Sequence, residues 1–203
     1  MNDGRLDEIV YEIMNCRNCT LHLSKKNYVP GEGSESAQVM FIGEAPGREE
    51  DEQGRPFVGN AGKLLTDMIQ EILGLSRKDV YITNILKCRP PNNRDPMESE
   101  IDACFPYLMR QILAIDPDVI VCLGRHSARV IFEHFQIPFR SITRDRGVLR
   151  EKEIHGKKTY FIATYHPAAA LYKPPLKEII EEDFRTLASI IKRKNKTLFD
   201  FFS

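Results

Sequence analysis

The chain has 203 residues, 42% of them hydrophobic, so it can bury a core and has the usual length of one globular domain. The chain has 29 Lys and Arg residues and 29 Asp and Glu residues, so its formal net charge is zero. The net charge therefore gives no reason to expect a nucleic-acid partner. The segment MNDGRLDEIVYEIMNC is charged through its first turns, so we expect no signal peptide, and no apolar run reaches membrane-spanning length. We therefore expect a cytoplasmic protein, in which five cysteines indicate metal ligands or buried thiols over disulfides.

The first predicted element is a helix that leads directly into Cys16. Its apolar residues recur at helical spacing and are Leu6, Ile9, Val10, Ile13 and Met14. Four short β-rich segments follow along the chain, and their continuous apolar character favours strands that are buried on both faces. These segments are VMFIG (39–43), VYITNI (80–85), VIVCLG (119–124) and TYFIATY (159–165).

Helical patterns separate the predicted strands, and another follows the last one. Their apolar stripes lie within residues 64–73, 101–112, 131–135 and 176–191. Strands that alternate with helices predict an α/β fold of three layers, in which a central four-stranded parallel sheet lies between helices. We predict one domain over residues 1–194 and a flexible tail over 195–203. Ligands of such sheets bind at the carboxyl ends of the strands, where the motifs described next are found.

Four of the five cysteines form a pattern typical of a metal centre. Cys16 and Cys19 make a C-x-x-C pair, Cys88 follows the second strand, and Cys104 lies on the apolar stripe of a helix. We predict that these four bind one metal centre, which ties the amino-terminal helix to the sheet; four unrelated buried thiols are the weaker alternative. Spacing alone leaves zinc and an iron-sulfur cluster equally open. Cys122 lies within a strand and is interpreted as a core thiol.

A loop rich in glycine and charge, GEAPGREEDEQGRPFVGNAG, leaves the first strand and leads to a helix that begins near Asn60. Backbone amides in such a loop can contact an anion or a base edge. The loop contains neither G-x-G-x-x-G nor the residues of a phosphate-binding P-loop, so the common nucleotide-binding loops are excluded. A plain surface loop is the alternative.

Four motifs occur in the order typical of one enzyme family. They are GEAPGREEDEQGRPFVGNAGKLL, YITNILKCRPPNNRDP with a following CFPYL, PDVIVCLG, and TYHPAAAL. Over roughly residues 10 to 190 the chain resembles the family 4 uracil-DNA glycosylases, with its cysteines in the matching positions. The resemblance implies the fold of that family, excision of uracil from DNA, and one four-iron, four-sulfur (4Fe-4S) cluster as the metal centre.

The resemblance also implies a uracil pocket that receives a base flipped out of the duplex. Phe57 would stack on uracil, and Gly43 would lie in the same pocket. Asn84 would donate a hydrogen bond to uracil O4 and accept one from N3–H, a pattern that cytosine reverses. Glu50 would fill the space that the C5 methyl group of thymine needs.

The predicted catalytic residues are Glu44, Asn84 and His166. His166 follows the fourth strand and would donate a hydrogen bond to uracil O2 as charge develops on the departing base. Better-known uracil-DNA glycosylases have an aspartate that helps position the water where this chain has Ala45, so Glu44 is our candidate for positioning the water or contacting uracil. The remaining histidines are interpreted as structural and are His22, His126, His134 and His155.

Two segments near the predicted pocket are candidates for contact with DNA. KCRPPNNRDP supplies Lys87, Arg89 and Arg94, for which we predict contacts with phosphates; a solvated loop is the alternative. Leu171 follows HPAAA and is either a wedge for the gap left by the flipped base or a core leucine, which is the favoured interpretation.

The last nine residues, NKTLFDFFS, have the spacing of a sliding-clamp-binding peptide. Its positions are Asn195, in place of the usual glutamine, Leu198, Phe201 and Phe202. We predict that this tail binds a clamp of the PCNA type, which favours an archaeal source. Packing of the phenylalanines on the core is the alternative.

Two other functions are weighed against uracil excision. A relative that forms a covalent link to DNA would carry a basic, histidine-bearing insertion in the first motif, and GREEDEQGRPF has no histidine. A non-catalytic iron-sulfur protein that binds damage or senses redox state is the second, and the presence of Asn84 and His166 argues against it. We expect a monomeric glycosylase without lyase activity, associated with the nucleoid, that acts on uracil in single- or double-stranded DNA.

Overall fold

The structure is a computed structural model that describes residues 5–200, with side chains described as far as Ile191. Within this range, six strands form one mixed sheet in the order β1-β3-β2-β4-β6-β5. The strands are β1 (Glu32–Gly33), β2 (Val39–Gly43), β3 (Tyr81–Asn84), β4 (Val119–Leu123), β5 (Arg150–Ile154) and β6 (Lys157–Thr164).

The four predicted strands are β2, β3, β4 and β6, and they form the parallel centre of the sheet. Phe41 in β2, for example, pairs with Ile82 in β3 and with Val121 in β4. All residues of β2, β3 and β4 are buried, as expected of apolar runs that are covered on both faces.

The sheet extends beyond the predicted four strands by one antiparallel strand at each edge. β1 pairs with β3, and β5 pairs with β6 through a two-residue turn at His155 and Gly156, whose φ angles of 47° and 83° are typical of a tight hairpin. Neither edge strand was predicted, because β1 has two residues and β5, REKEI, is nearly all charged.

Helices cover both faces of the sheet, as predicted. They are α1 (Leu6–Met14), α2 (Arg48–Gln53), α3 (Asn60–Met68), α4 (Glu98–Ile115), α5 (Arg125–His134), α6 (Ile142–Asp145), α7 (Pro167–Tyr172) and α8 (Pro175–Asp200). A π-helical turn, Ile69–Leu73, continues α3 as far as Gly74. The short helices α2, α6 and α7 were not predicted because they have too few residues for an apolar stripe.

The core has two halves, one on each face of the sheet. Met40 and Ile42 of β2 belong to one half with α4 and α5, whereas Val39 and Phe41 belong to the other half with α3 and α8. In the second half, the rings of Phe41 and Phe184 stack with centroids 5.7 Å apart. This alternation along one strand produces the three-layer architecture.

The last helix extends past residue 194, the predicted end of the domain. The backbone of α8 is helical as far as Asp200, so Asn195 and Leu198 fall within it, although their side chains are not described. Phe201 and Phe202 lie outside the described residues. The domain limit and the clamp-binding peptide therefore stay predictions. Across residues 5–200, every helix is too short or too polar to cross a membrane.

Candidate active site

A pocket opens at the carboxyl edge of the parallel strands. Its volume of about 290 Å³ is close to the lower limit for sites that bind small molecules. The residues at its wall come from the loop after β2, the end of β3, the loop that follows β3, and the loop after β6. They include Glu44, Glu50, Phe57, Asn84, Asn93 and His166. The fold thus brings together every residue predicted from the sequence for the uracil pocket except Gly43, which lies directly behind it.

Asn84 ends β3 with its side chain 2% exposed. Among the described residues, its Oδ1 is the buried side-chain polar atom without a hydrogen-bond partner. Gly43 pairs with Asn84 across the sheet, and a Cβ atom there would lie 2.3 Å from Asn84 Oδ1 and 2.7 Å from Phe57 Cζ. A side chain at residue 43 would therefore displace Asn84 or Phe57. A buried acceptor left unpaired costs about 1–3 kcal/mol, so the site suits a ligand that brings an N–H or O–H donor.

His166 caps the amino terminus of α7, and this contact determines which ring nitrogen carries the proton. Its Nδ1 accepts a hydrogen bond from the backbone N–H of Ala168 at 3.1 Å, so the proton of the neutral ring is on Nε2. Burial lowers the pKa of His166 to about 4, with Glu50 acting in the opposite direction. The ring is therefore neutral near pH 7 and has one N–H donor available to the pocket.

Phe57 stands opposite His166, with ring centroids 5.5 Å apart and ring planes 29° apart. Its side chain is only 6% exposed, although the surrounding sequence QGRPFVG is polar. The backbone is in the left-handed region, at a φ of 51°, which is rare for a bulky side chain. Such a conformation persists only where neighbouring groups enforce it.

Glu50 has a role in the loop that the sequence analysis missed. Its carboxylate accepts hydrogen bonds from the backbone N–H groups of Gly47 (3.1 Å), Val58 (2.9 Å) and Gly59 (3.0 Å). These contacts join the beginning and end of the loop around α2. The side chain lines the pocket, as predicted, but in a position that the loop backbone holds rigidly.

Glu44 is half-buried, and burial raises the pKa of its carboxyl group. His126, at the start of α5, has Nε2 3.9 Å from Glu44 Oε2 and 3.3 Å from Asp95 Oδ2. His126 was interpreted as a structural histidine, yet it lies beside a predicted catalytic carboxyl. Its position directly after β4, at the carboxyl edge of the sheet, was the signal that could have identified it.

Lys87 is not a surface residue, and its prediction as a DNA contact is wrong. The side chain is 2% exposed, and Nζ donates to Thr83 Oγ1 (2.7 Å), Asn84 O (2.7 Å) and Gln111 Oε1 (2.8 Å). Burial lowers the pKa of this amine to about 7. The sequence of a loop does not reveal the direction in which a basic side chain points. The side chain of Lys87 points inward and supports the end of the strand that carries Asn84.

The other candidate DNA contacts are accessible. Arg94 forms a bidentate pair with Glu100 at 2.6 and 2.9 Å and is 37% exposed, and Arg89 Nε donates to Asn93 Oδ1 at 2.7 Å. Leu171 in α7 is 49% exposed, so its favoured interpretation as a core leucine is wrong. Its apolar side chain is accessible beside the loop of His166.

The four predicted metal ligands line one cavity, which connects three parts of the chain. Cys16 and Cys19 come from the segment after α1, Cys88 from the loop after β3 and Cys104 from α4. Burial, reinforced by the neighbouring thiols, raises the pKa of Cys88 to about 12. Burial also raises the pKa of Cys104 to about 11, against the lowering effect of the Lys87 charge and backbone N–H.

The backbone N–H of Lys87 donates to Cys104 Sγ at 3.3 Å. Four thiols that line one apolar cavity suit a metal centre that stabilises their thiolate forms. In the part of the chain that the structure describes, no three of their sulfur atoms lie within 4.8 Å of one another. A single tetrahedral zinc ion, with Zn–S bonds of about 2.3 Å, needs sulfurs roughly 3.8 Å apart, so the wider arrangement suits a centre of several metal ions better. Cys122 is buried in β4 and is not one of the residues at this cavity, as predicted.

The fold and the pocket are those of a base-excising enzyme: residues 30–188 match the family described as the Uracil DNA glycosylase superfamily. Proteins named Type-4 uracil-DNA glycosylase are similar over almost the whole chain. The Archaeoglobus fulgidus protein is 57% identical over 97% of this chain and 98% of its own length, and the Saccharolobus solfataricus protein is 54% identical over 97% and 91%. The Thermotoga maritima protein is 44% identical over 93% and 96%. The chain therefore belongs to the type-4 uracil-DNA glycosylases.

Proposed function

We propose that this protein is a DNA-repair hydrolase that flips uracil out of DNA and cleaves its N-glycosidic bond, leaving an abasic site. The observation that carries the proposal is the unpaired, buried Oδ1 of Asn84, which faces a pocket walled by Phe57 and His166. Uracil N3–H supplies the missing donor, and the Asn84 amide N–H₂ can donate to O4. Cytosine offers an acceptor at N3 and an amine at C4, so it mismatches both groups.

In the proposed reaction, the bond between C1′ of the sugar and N1 of uracil breaks, and its electron pair leaves with the base. His166 Nε2–H donates to uracil O2, where negative charge accumulates. Water then bonds to C1′ and loses a proton to the surrounding solvent, and the departing uracil anion takes up a proton, so that the products are the abasic sugar and neutral uracil. With alanine at residue 45, Glu44 is the carboxylate that can orient this water and stabilise the positive sugar. Glu50 excludes thymine by filling the space that its C5 methyl group needs. Phe57 stacks on the flipped uracil.

The function is tested with an end-labelled oligonucleotide that contains one uracil. Incubation with the protein followed by hot alkali should cleave the strand at uracil, because abasic sites are alkali-labile. A strand that breaks without alkali would indicate lyase activity, and an intact strand would favour a non-catalytic damage-binding protein. A matched oligonucleotide with thymine at the same position is the control.

The metal centre is proposed to be one 4Fe-4S cluster held by Cys16, Cys19, Cys88 and Cys104. Its role is to brace α1 and the loop after β3 against the sheet, and thereby to support the DNA-facing residues Arg89 and Arg94. The chemistry of base removal is assigned to the pocket and not to the cluster.

Replacing Cys104 by serine is expected to remove the visible absorbance at about 400 nm and to lower the melting temperature by about 10 °C or more. The cause is loss of a thiolate ligand from a buried site that connects distant segments. Absorption spectra and thermal melts measure both effects. Cys122→Ala is the control that should keep the spectrum, and a colourless, zinc-containing parent protein would show that the cluster assignment is wrong.

Contacts with DNA are proposed for Arg89 and Arg94, which can reach phosphates, and for Leu171, which can fill the gap left by the flipped base. We further propose a monomeric domain over residues 1–194, a location in the cytoplasm at the nucleoid, and an archaeal source.

The peptide at 195–203 is proposed to bind a sliding clamp of the PCNA type. A protein shortened to residue 194 is expected to lose clamp binding in a pull-down. It should still excise uracil from a free oligonucleotide at the rate of the full chain, because the residues that line the pocket lie between Glu44 and Ala168. Substitution of Phe201 and Phe202 together by alanine should have the same effect as the deletion. Unchanged clamp binding in either variant would contradict the proposal.

A further inference from the structure

The backbone at Phe57 adopts a conformation that its own residue type disfavours. Its φ of 51° places a bulky side chain in the left-handed region, and the ring lies directly above Gly43. The next helix approaches closely as well, since a Cβ atom at Gly62 would lie 1.9 Å from the Phe57 carbonyl oxygen. Contacts from neighbouring groups must therefore hold this turn in place, and on this side of the loop the carboxylate of Glu50 reaches only the N–H groups that follow the turn, those of Val58 and Gly59.

Arg77, in the segment between the π-helical turn and β3, holds it. Nη2 donates to the carbonyl of Pro56 at 2.7 Å, and Nη1 donates to the carbonyl of Phe57 at 3.0 Å and to Thr66 Oγ1 at 3.2 Å. Nε and Nη2 donate to Glu32 Oε1 at 2.9 and 2.5 Å. These five contacts use all five N–H donors of the guanidinium group, so the planar fork has one orientation.

The guanidinium lies behind Phe57, in a shallow groove with Gly62 and Thr66, and not in the wall of the pocket. Its side chain is 19% exposed, and that of its partner Glu32 is 22% exposed. Arg55 also pairs with Glu32, at 2.7 Å, but its side chain is 59% exposed, and among the described residues its hydrogen-bond partner is Glu32 alone. The two arginines thus share one carboxylate but differ in their contact with the Phe57 turn.

We propose that Arg77 is a positioning residue, which orients the Phe57 ring for stacking on the flipped base by holding the carbonyl groups of Pro56 and Phe57. The inference rests on the proposed function, because it assumes that Phe57 stacks on uracil. Arg77 itself touches neither the base nor the water. Its effect on the reaction passes entirely through the aromatic ring.

The test is a double-mutant cycle between Arg77→Met and Phe57→Ala, followed by single-turnover excision of uracil. Arg77→Met should slow excision by about 10-fold, comparable to the loss of one stacking contact. In the Phe57→Ala background, the same substitution should change the rate by less than about twofold, because the ring it positions is absent. Arg55→Met is the matched control and should stay within about twofold of the parent, since exposed ion pairs contribute little.

Thermal melts recorded alongside establish that each variant is folded at the assay temperature. Should Arg77→Met not fold, Arg77→Lys takes its place, because lysine keeps the charge near Glu32 but has three N–H donors on one atom and cannot make the five contacts of the planar fork. Equal rate losses in the presence and absence of the Phe57 ring would overturn the inference, as would an Arg77 variant with the parental rate. If the parent protein itself did not excise uracil, the proposed function would be wrong. If the parent excised uracil but the Arg77 variants behaved as just described, only the role of Arg77 would be wrong.

Discussion

Replacing His166 by alanine is expected to slow uracil excision by about 10²–10³-fold, the usual effect of removing one donor aimed at developing negative charge. The structure places the proton of the neutral ring on Nε2, because Nδ1 accepts from Ala168 N–H at 3.1 Å. A neutral donor suits uracil O2, whose charge grows only as the bond to C1′ breaks. Single-turnover assays with enzyme in excess isolate this step from product release.

The pKa of His166 gives this prediction a second measurement. Because the folded-state pKa is about 4 and the ordinary value is about 6.5, the unfolded chain binds the extra proton in between. The contribution of His166 to the free energy of unfolding is therefore fully present above about pH 6.5 and is lost as the pH falls toward 4. His166→Ala should therefore flatten the acid side of a plot of melting temperature against pH.

A matched control is His155→Asn, in the exposed hairpin turn between β5 and β6, where asparagine tolerates the positive φ of 47°. This variant should excise uracil at the parental rate. A parental rate for His166→Ala would remove the histidine from the proposed mechanism. If the excision rate of the parent protein fell on acidification with a midpoint at about pH 6.5, His166 would titrate like an ordinary histidine. That result would contradict the claim that its ring is neutral in the folded protein.

Asn84→Asp is expected to lower uracil excision by about 100-fold or more, because a carboxylate of the same shape cannot donate to O4. The side chain is 2% exposed, so water cannot replace the lost donor. The new carboxylate can still accept a hydrogen bond from the C4 amine of cytosine. The ratio of uracil to cytosine excision should therefore fall, and paired oligonucleotides that differ in that one base measure it.

Asn84→Ala separates base reading from simple damage to the pocket. Alanine removes both the donor and the acceptor, so it should lose uracil excision without any relative gain for cytosine. The melting temperatures of the two variants should be compared with that of the parent, because Lys87 Nζ also holds the backbone carbonyl of residue 84. Efficient uracil excision by Asn84→Asp would contradict the proposed reading of the base.

Much of the fold could be predicted because its signals are local. VMFIG is β2 from Val39 to Gly43, and VIVCLG contains β4, since a continuous apolar run of this length is stable only when covered on both faces. The apolar stripes of α1, α4 and α8 likewise follow from helical periodicity. The edge strand β5 lacks such a signal, since its charged residues face solvent and pairing with β6 alone makes it a strand.

From the sequence alone, we could predict the four parallel strands at the centre of the sheet, the residues at their carboxyl ends, and a set of four cysteines suited to one metal centre. Which side chains meet, and the antiparallel edges of the mixed sheet, became visible only in the folded chain. The tertiary structure turned Lys87 inward beneath Asn84, left Leu171 exposed, and placed His126 beside Glu44 and Arg77 behind Phe57. The physical reason is that strand and helix propensities act between near neighbours, whereas these contacts join segments that only the crossover connections of the sheet bring together.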